Sequence, residues 1–241
     1  MRLSSAILAF LLLAAPPAMA FPTGGVNLTW GTGCWEDNPS TLKTFACDTN
    51  VGSASLTASF AFEWAAWTYY MDAKLDLQSD SPQLPDWWQF TCPAGCRAGS
   101  MSVSADFTGA PGGCADPWLG RAQVTWYWVT AAIPGPYQPV TAPSRARLKV
   151  SMEFPQVTFI PNQEYYAFRV TLNYARSTGS GACAGCATPV TIVFNDLWIL
   201  TGHLTAPLSN ACLRWQADGT TPCSATPARN STWGQVKSLY R

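Results

Sequence analysis

Apolar side chains recur at every second position through most of this chain, and no helical periodicity of ten or more residues competes with them outside the first twenty. Leu56, Ala58, Phe60, Phe62 and Trp64 fall on one side, with Thr57, Ser59 and Glu63 on the other. The same pattern holds for Tyr69, Met71, Ala73, Leu75 and Leu77 against Tyr70, Asp72, Lys74, Asp76 and Gln78. It returns at 101–107, 148–154 and 166–174. A period of two is the mark of a strand with one buried and one wet face. Clusters of Gly, Pro, Ser and Asn separate these runs, as turns do. The pattern predicts an all-β fold, an antiparallel two-sheet β-sandwich of roughly eight to ten strands stapled by disulfides, with a closed barrel as the alternative.

The longest apolar run, 190–200, departs from simple alternation. Val190, Ile192 and Phe194 share one face, while Val193, Leu197 and Ile199 take the other. Apolar residues on both faces predict a strand covered on both sides. The strand at 165–174 precedes it, so the two are expected to form a hairpin with Cys183 and Cys186 at its glycine-rich tip. Asn195 and Asp196 interrupt the run and read as a β-bulge or a strand-end polar pair.

Residues 1–20 read as a signal peptide: Arg2 in the n-region, a short apolar stretch, then Ala18-Met19-Ala20 before cleavage. Residues 21–241 are then expected to form a single β-sandwich domain, with 224–241 as a C-terminal tail that docks back as an edge element or serves as an export tag. Without the leader, 13 basic side chains face 14 acidic ones. No basic stripe favours nucleic acid, and no lysine cluster favours an anionic membrane. Charged residues make up only 12 % of the chain, so polar uncharged side chains must keep it in solution. Localisation is expected to be extracytoplasmic: extracellular, cell-surface or periplasmic, with no transmembrane segment in the mature chain.

Nine cysteines in such a context predict disulfides, with one thiol left over. The expected pairs are Cys34–Cys47, Cys96–Cys114, Cys183–Cys186 and Cys212–Cys223, with Cys92 unpaired. A redox site at Cys183 and Cys186 would need a following helix to lower a thiol pKa, and strands flank the pair instead. A zinc site from Cys92, Cys96, Cys183 and Cys186 would need thiolates that an oxidising compartment does not keep. No metal and no cofactor are expected.

His203 is the single histidine, and no G-x-S-x-G accompanies it, so neither a histidine metal site nor a serine triad is spelled out. Glu63, Glu153, Glu164 and Asp196 are the carboxylates from which a hydrolase would have to choose a pair. Asn27 and Asn230 stand in glycosylation sequons. The twelve tryptophans speak loudest. Most belong to the core. Neighbouring residues on a strand point to opposite faces, so the sets Trp87-Trp88 and Trp126-Tyr127-Trp128 should each send a ring out of it. Trp87, Trp88, Trp126 and Trp128 are therefore the candidate ligand-binding residues, rings that could stack on sugars.

The segments VNLTW at 26–30, LPDWWQF at 84–90, CAGC at 183–186 and TWGQVKSLYR at 232–241 give the chain a family look. It resembles uncharacterised secreted β-sandwich proteins of environmental bacteria that end in a similar tail. More distantly it is similar to carbohydrate-binding and cohesin-like sandwiches. The first resemblance implies no activity and the second rests on architecture. The expectation is a secreted, non-catalytic binding or surface-structural module whose partner is a glycan or another surface protein. The alternatives are a carbohydrate-binding module using exposed tryptophans and an extracellular hydrolase using paired carboxylates.

Overall fold

The computed structural model describes residues 24–37, 39–91, 95–132, 140–205, 210–216 and 219–223. The signal-peptide reading of 1–20, the tail at 224–241, the Asn230 sequon and Cys92 lie outside these residues. Eleven strands follow in order: β1 (Gly25–Trp30), β2 (Leu42–Lys43), β3 (Ser53–Ala61), β4 (Ala66–Ser79), β5 (Met101–Ser104), β6 (Gln123–Thr130), β7 (Arg145–Phe159), β8 (Tyr165–Asn173), β9 (Val190–Ile199), β10 (Gly202–Thr205) and β11 (Cys212–Trp215). They form two packed sheets. One has the order β1-β3-β8-β5; the other runs β2-β11-β9-β4-β7-β6, with β10 pairing β9. All pairings are antiparallel except the two-residue contact of β2 with β11. The predicted sandwich is what forms. No helix of the described residues is long and apolar enough to cross a membrane.

The core lies between the sheets and follows the alternation. Met71, Ala73, Leu75 and Leu77 of β4 meet Leu148, Val150 and Met152 of β7 in one layer, and Leu56, Ala58, Phe60, Val170 and Leu172 line the other. Aromatic rings close both ends. Phe60, Phe62, Phe159 and Tyr165 pack edge-on or stacked at one; Trp87, Trp88 and Trp215 pack at the other. Each fully buried ring or aliphatic chain of this size contributes about 1.5–3 kcal/mol.

β9 corrects one expectation. Lys74 pairs with Asp196 while Leu75 pairs with Phe194, so Asn195 is an extra residue on β9. This bulge reverses the phase of the strand. Ile192 and Phe194 before it and Leu197 and Ile199 after it all face the core, opposite Leu77, Leu75, Ala73 and Met71. Up to Phe194 the strand is covered on both sides, as expected, with Thr191 and Val193 of its outer face buried; beyond the bulge that face is open and carries half-buried Asp196 and exposed Trp198.

The four-stranded sheet departs in the opposite sense. Thr57, Ser59, Asn27 and Thr29, on its outer face, are buried. Glu164 caps two of them: its carboxylate accepts from Asn27 Nδ2 at 2.9 Å, from Ser59 Oγ and from the Glu36 N–H at 3.1 Å. Burial outweighs these bonds and raises the Glu164 pKa. Asn27 is thus a buried donor, and its sequon is not presented to solvent.

Three of the four expected cysteine partnerships are replaced. The bonds are Cys34–Cys114, Cys47–Cys186, Cys96–Cys183 and Cys212–Cys223, with Cα separations of 6.1, 6.0, 5.9 and 5.7 Å. Only the last matches. The expected hairpin does not form, because β8 and β9 lie in different sheets; Cys183 and Cys186 do not clasp the connection between these strands, and each pins it to a different loop. The tip is pressed against the turn at Asp86–Trp88 (Trp87 N–H donates to Ala184 O at 2.9 Å), and Gly185 is what allows this approach. Its φ is +86°, and a Cβ there would sit 2.3 Å from Pro85.

Candidate functional site

The outer face of the seven-stranded sheet is the open surface of the molecule on which chemistry collects. Register places Asp72 of β4 between Ser151 of β7 and Trp198 of β9. It places Lys74 between Lys149 and Asp196, and Asp76 beside Arg147. Two lysines opposite each other would repel. Each turns to a carboxylate instead: Lys74 to Asp196 at 3.5 Å and Lys149 to Asp72 at 3.5 Å. Arg147 grips Asp76 with both prongs, at 2.6 and 2.7 Å, and Asn195 Nδ2 donates to the same carboxylate. The Asp76 hydrogen bond holds the guanidinium above its ordinary pKa. Ser151 donates to Asp72. The result is a ladder of cancelled charges. These pairs are partly buried, so the cost of desolvating each charge offsets much of its Coulomb gain; their main consequence is a face with little net field.

Aromatic rings border this ladder. Trp198 stacks on His203 of β10, with centroids 3.7 Å apart and planes 16° from parallel. Tyr127 stands across the sheet on β6, beside Lys149. Trp67 and Tyr69 stand at the start of β4. Trp198, Tyr127, Trp67 and Tyr69 are 48, 46, 44 and 52 % exposed. From β9 to β6 is three strand spacings, about 14 Å. Burial lowers the His203 pKa, with Asp196 opposing and Lys74 reinforcing the shift.

The candidate tryptophans are placed differently. Trp87, Trp88 and Trp128 are 0, 1 and 6 % exposed, and their faces are already in use. Trp87 stacks on Trp215 at 4.9 Å and its indole N–H donates to Ser177 Oγ at 2.9 Å; Trp88 meets Trp215 edge-on; Trp128 meets Phe90 edge-on. The physical reason is twofold. Residues 86–88 form a 3-10 turn, not a strand, and it drives both rings between the sheets. On β6 the alternation does hold, but Trp126 and Trp128 share the core face, opposite Val150 and Leu148, and the outward ring is Tyr127. Trp126 is half-buried against the core. None of these four tryptophans offers an open platform.

Two carboxylates of the hydrolase alternative, Glu164 and Asp196, lie on different sheets. Glu164 lies under loops on the outer face of the four-stranded sheet, and Asp196 lies on the outer face of the other sheet, ion-paired with Lys74. They cannot flank one bond. Cys34, Cys114 and Glu164 come close enough to suggest metal ligands, but both sulfurs are joined in the disulfide. A groove of about 610 Å³ between β1, β2 and β3 is lined by Thr32, Ser40, Lys43, Ser53 and Ser55. Its one ring, Trp30, is buried and donates to Arg214 O.

Sequence reasoning missed Arg97 entirely. It is fully buried and donates to the carbonyls of Ala175 at 3.1 Å, Trp87 at 3.0 Å and Asn173, with its guanidinium 3.6 Å from the Trp87 ring centre. Burial pushes its pKa down to about 9, still protonated at neutral pH. It is a fastener between the 86–97 segment and the end of β8. Sequence reasoning also passed over Trp198, and it named Tyr127 and His203 without giving either a binding role. The signal for Trp198 was available in Asn195-Asp196: read as a bulge, it turns Trp198 outward.

Comparison with protein-family models, with curated proteins and with solved structures finds no match to this chain. Four disulfides fit an oxidising environment.

Proposed function

We propose that this chain is a secreted, non-catalytic binding module that takes neutral carbohydrate chains on the outer face of its seven-stranded sheet. One observation carries the reading. Exposed rings, Trp198 with His203 on one side and Tyr127 on the other, border a ladder whose charges are internally paired. Aromatic faces suit the C–H faces of sugar rings. Asp72, Lys149 and Ser151 between them supply donors and acceptors for hydroxyls. A cancelled field gives no advantage to a polyanion. Secretion follows from the leader pattern and agrees with the disulfides.

A glycan array probed with the secreted chain and with Trp198→Ala tests this. We expect selective binding to neutral oligosaccharides, weakened about tenfold or more by the substitution, as for an aromatic anchor. Absence of binding to every glycan class defeats the proposal. So does undiminished binding by the alanine variant.

A further inference from the structure

β6 is an edge strand. It pairs with β7 on one side only, and among the described residues no backbone hydrogen bond is made to the other side of Gln123–Tyr127, while Trp128, Val129 and Thr130 at its end are buried. Half of its N–H and C=O groups point that way. Soluble proteins protect such edges with charges, prolines or bulges. β6 has none of these. From Gln123 to Thr130 it carries no charged residue and no proline, and its register with β7 is unbroken. Its first five residues, Gln123 to Tyr127, are exposed or half-buried, and Val124, Thr125, Trp126 and Tyr127 are β-branched or aromatic. An unguarded edge of this composition is a template for another strand.

We infer that the strand it takes is β6 of a second copy, forming a two-fold dimer with one sheet continuous across the interface. The strand is complementary to itself. With antiparallel pairing centred on Thr125, Thr125 faces Thr125 of the partner copy, Val124 faces Trp126, and Gln123 faces Tyr127. Faces are preserved: Val124 and Trp126 meet on the core side, the other pairs on the outer side. Thr–Thr and aromatic–β-branched pairs are among the favourable cross-strand contacts, and no like charges meet. An isologous contact of this kind closes on itself and stops at two. The dimer sets the two Tyr127 side chains near the seam, so the outer faces of both copies become one surface. The inference does not depend on what that surface binds.

Sedimentation equilibrium of the secreted chain through the micromolar range tests it, together with Thr125→Lys and Thr125→Glu. Thr125 is exposed, so neither change enters the core. We expect a dimer for the wild type. Each variant alone, with like charges directly opposed, should be at least about tenfold weaker in self-association. An equimolar mixture of the two should dimerise again, because lysine then faces glutamate. A monomeric wild type overturns the inference, and so does a dimer that both variants leave intact. A dimer abolished by Cys92→Ser assigns the contact to a thiol bond and overturns it as well. If only deletion of 231–241 produces the dimer, the chain's own tail occupies the edge and the second copy does not.

Discussion

Trp198 and His203, directly opposed on β9 and β10, stack with ring centroids 3.7 Å apart. Burial is the larger influence on the imidazole and holds it below the usual 6.5. The native state therefore binds this proton more weakly than the unfolded chain. The stabilising contribution is complete above pH 6.5 and is lost as pH falls through the native pKa. His203 is the single histidine, so its proton resonance is unambiguous. NMR titration should give a midpoint below 6.5, moving up in Trp198→Ala. A wild-type midpoint at or above 6.5 contradicts the assignment.

Asp76 and Arg147 form the tightest contact of the charged ladder, with Asn195 as third member. Removing one partner of a buried pair costs about 3–5 kcal/mol; this pair is partly exposed, so Asp76→Asn should cost about 2–3 kcal/mol. Asn195→Ala should cost about 1 kcal/mol. Urea denaturation of both single variants and the double variant checks this, and additive losses would show that the three do not act together.

Arg97 donates to three backbone carbonyls, those of Trp87, Asn173 and Ala175. Arg97→Leu leaves them buried without that donor and should destabilise the fold by at least about 3 kcal/mol. Arg97→Lys keeps the charge but not the planar fork, and should fall between the two. A lysine variant as stable as the wild type in thermal unfolding would dismiss the fork as the reason.

Peptide mapping without reduction should recover Cys34–Cys114, Cys47–Cys186, Cys96–Cys183 and Cys212–Cys223. Replacing Cys47 and Cys186 together by serine should cost about 2–5 kcal/mol, because that bond closes the longest loop in sequence. Recovery of a peptide joining Cys183 to Cys186 would refute the pinned tip.

Glu164 is a buried carboxylate whose pKa burial raises from 4.5. Here the native state binds the proton more tightly than the unfolded chain. Stability from protonated Glu164 is present below pH 4.5 and is lost as pH rises through the native pKa. Glu164→Gln should remove that slope from the stability profile measured by denaturation between pH 4 and neutrality. An unchanged slope would assign it to other groups.

The alternation of β4 was legible from Met71 onward; Tyr69, expected on the apolar side, is exposed beside the register shift at Thr68/Tyr70. Met71 to Leu77 face the core and Asp72 to Gln78 face out, as the period of two requires. The same rule found the sandwich, because one buried face per strand leaves two packed sheets as the economical arrangement. It failed at Trp87 and Trp88, where a 3-10 turn replaces the strand, and at β9, where one extra residue shifts the phase. Asn195-Asp196 marked the interruption in the sequence, but only the partner strand shows which residue is extra and which rings it turns outward.

Local pattern thus decided which residues are strand and, for most, which side is wet. It also placed eight cysteines in bonds, since an even framework in an oxidising compartment needs no partner to be named. Which cysteines meet, which rings stay outside and which charges cancel were decided by the packing of the two sheets. Those contacts join residues such as Cys47 and Cys186 or Asp72 and Lys149, far apart in sequence and adjacent only through strand register. Register is set by the whole core at once, and no single stretch of chain contains it.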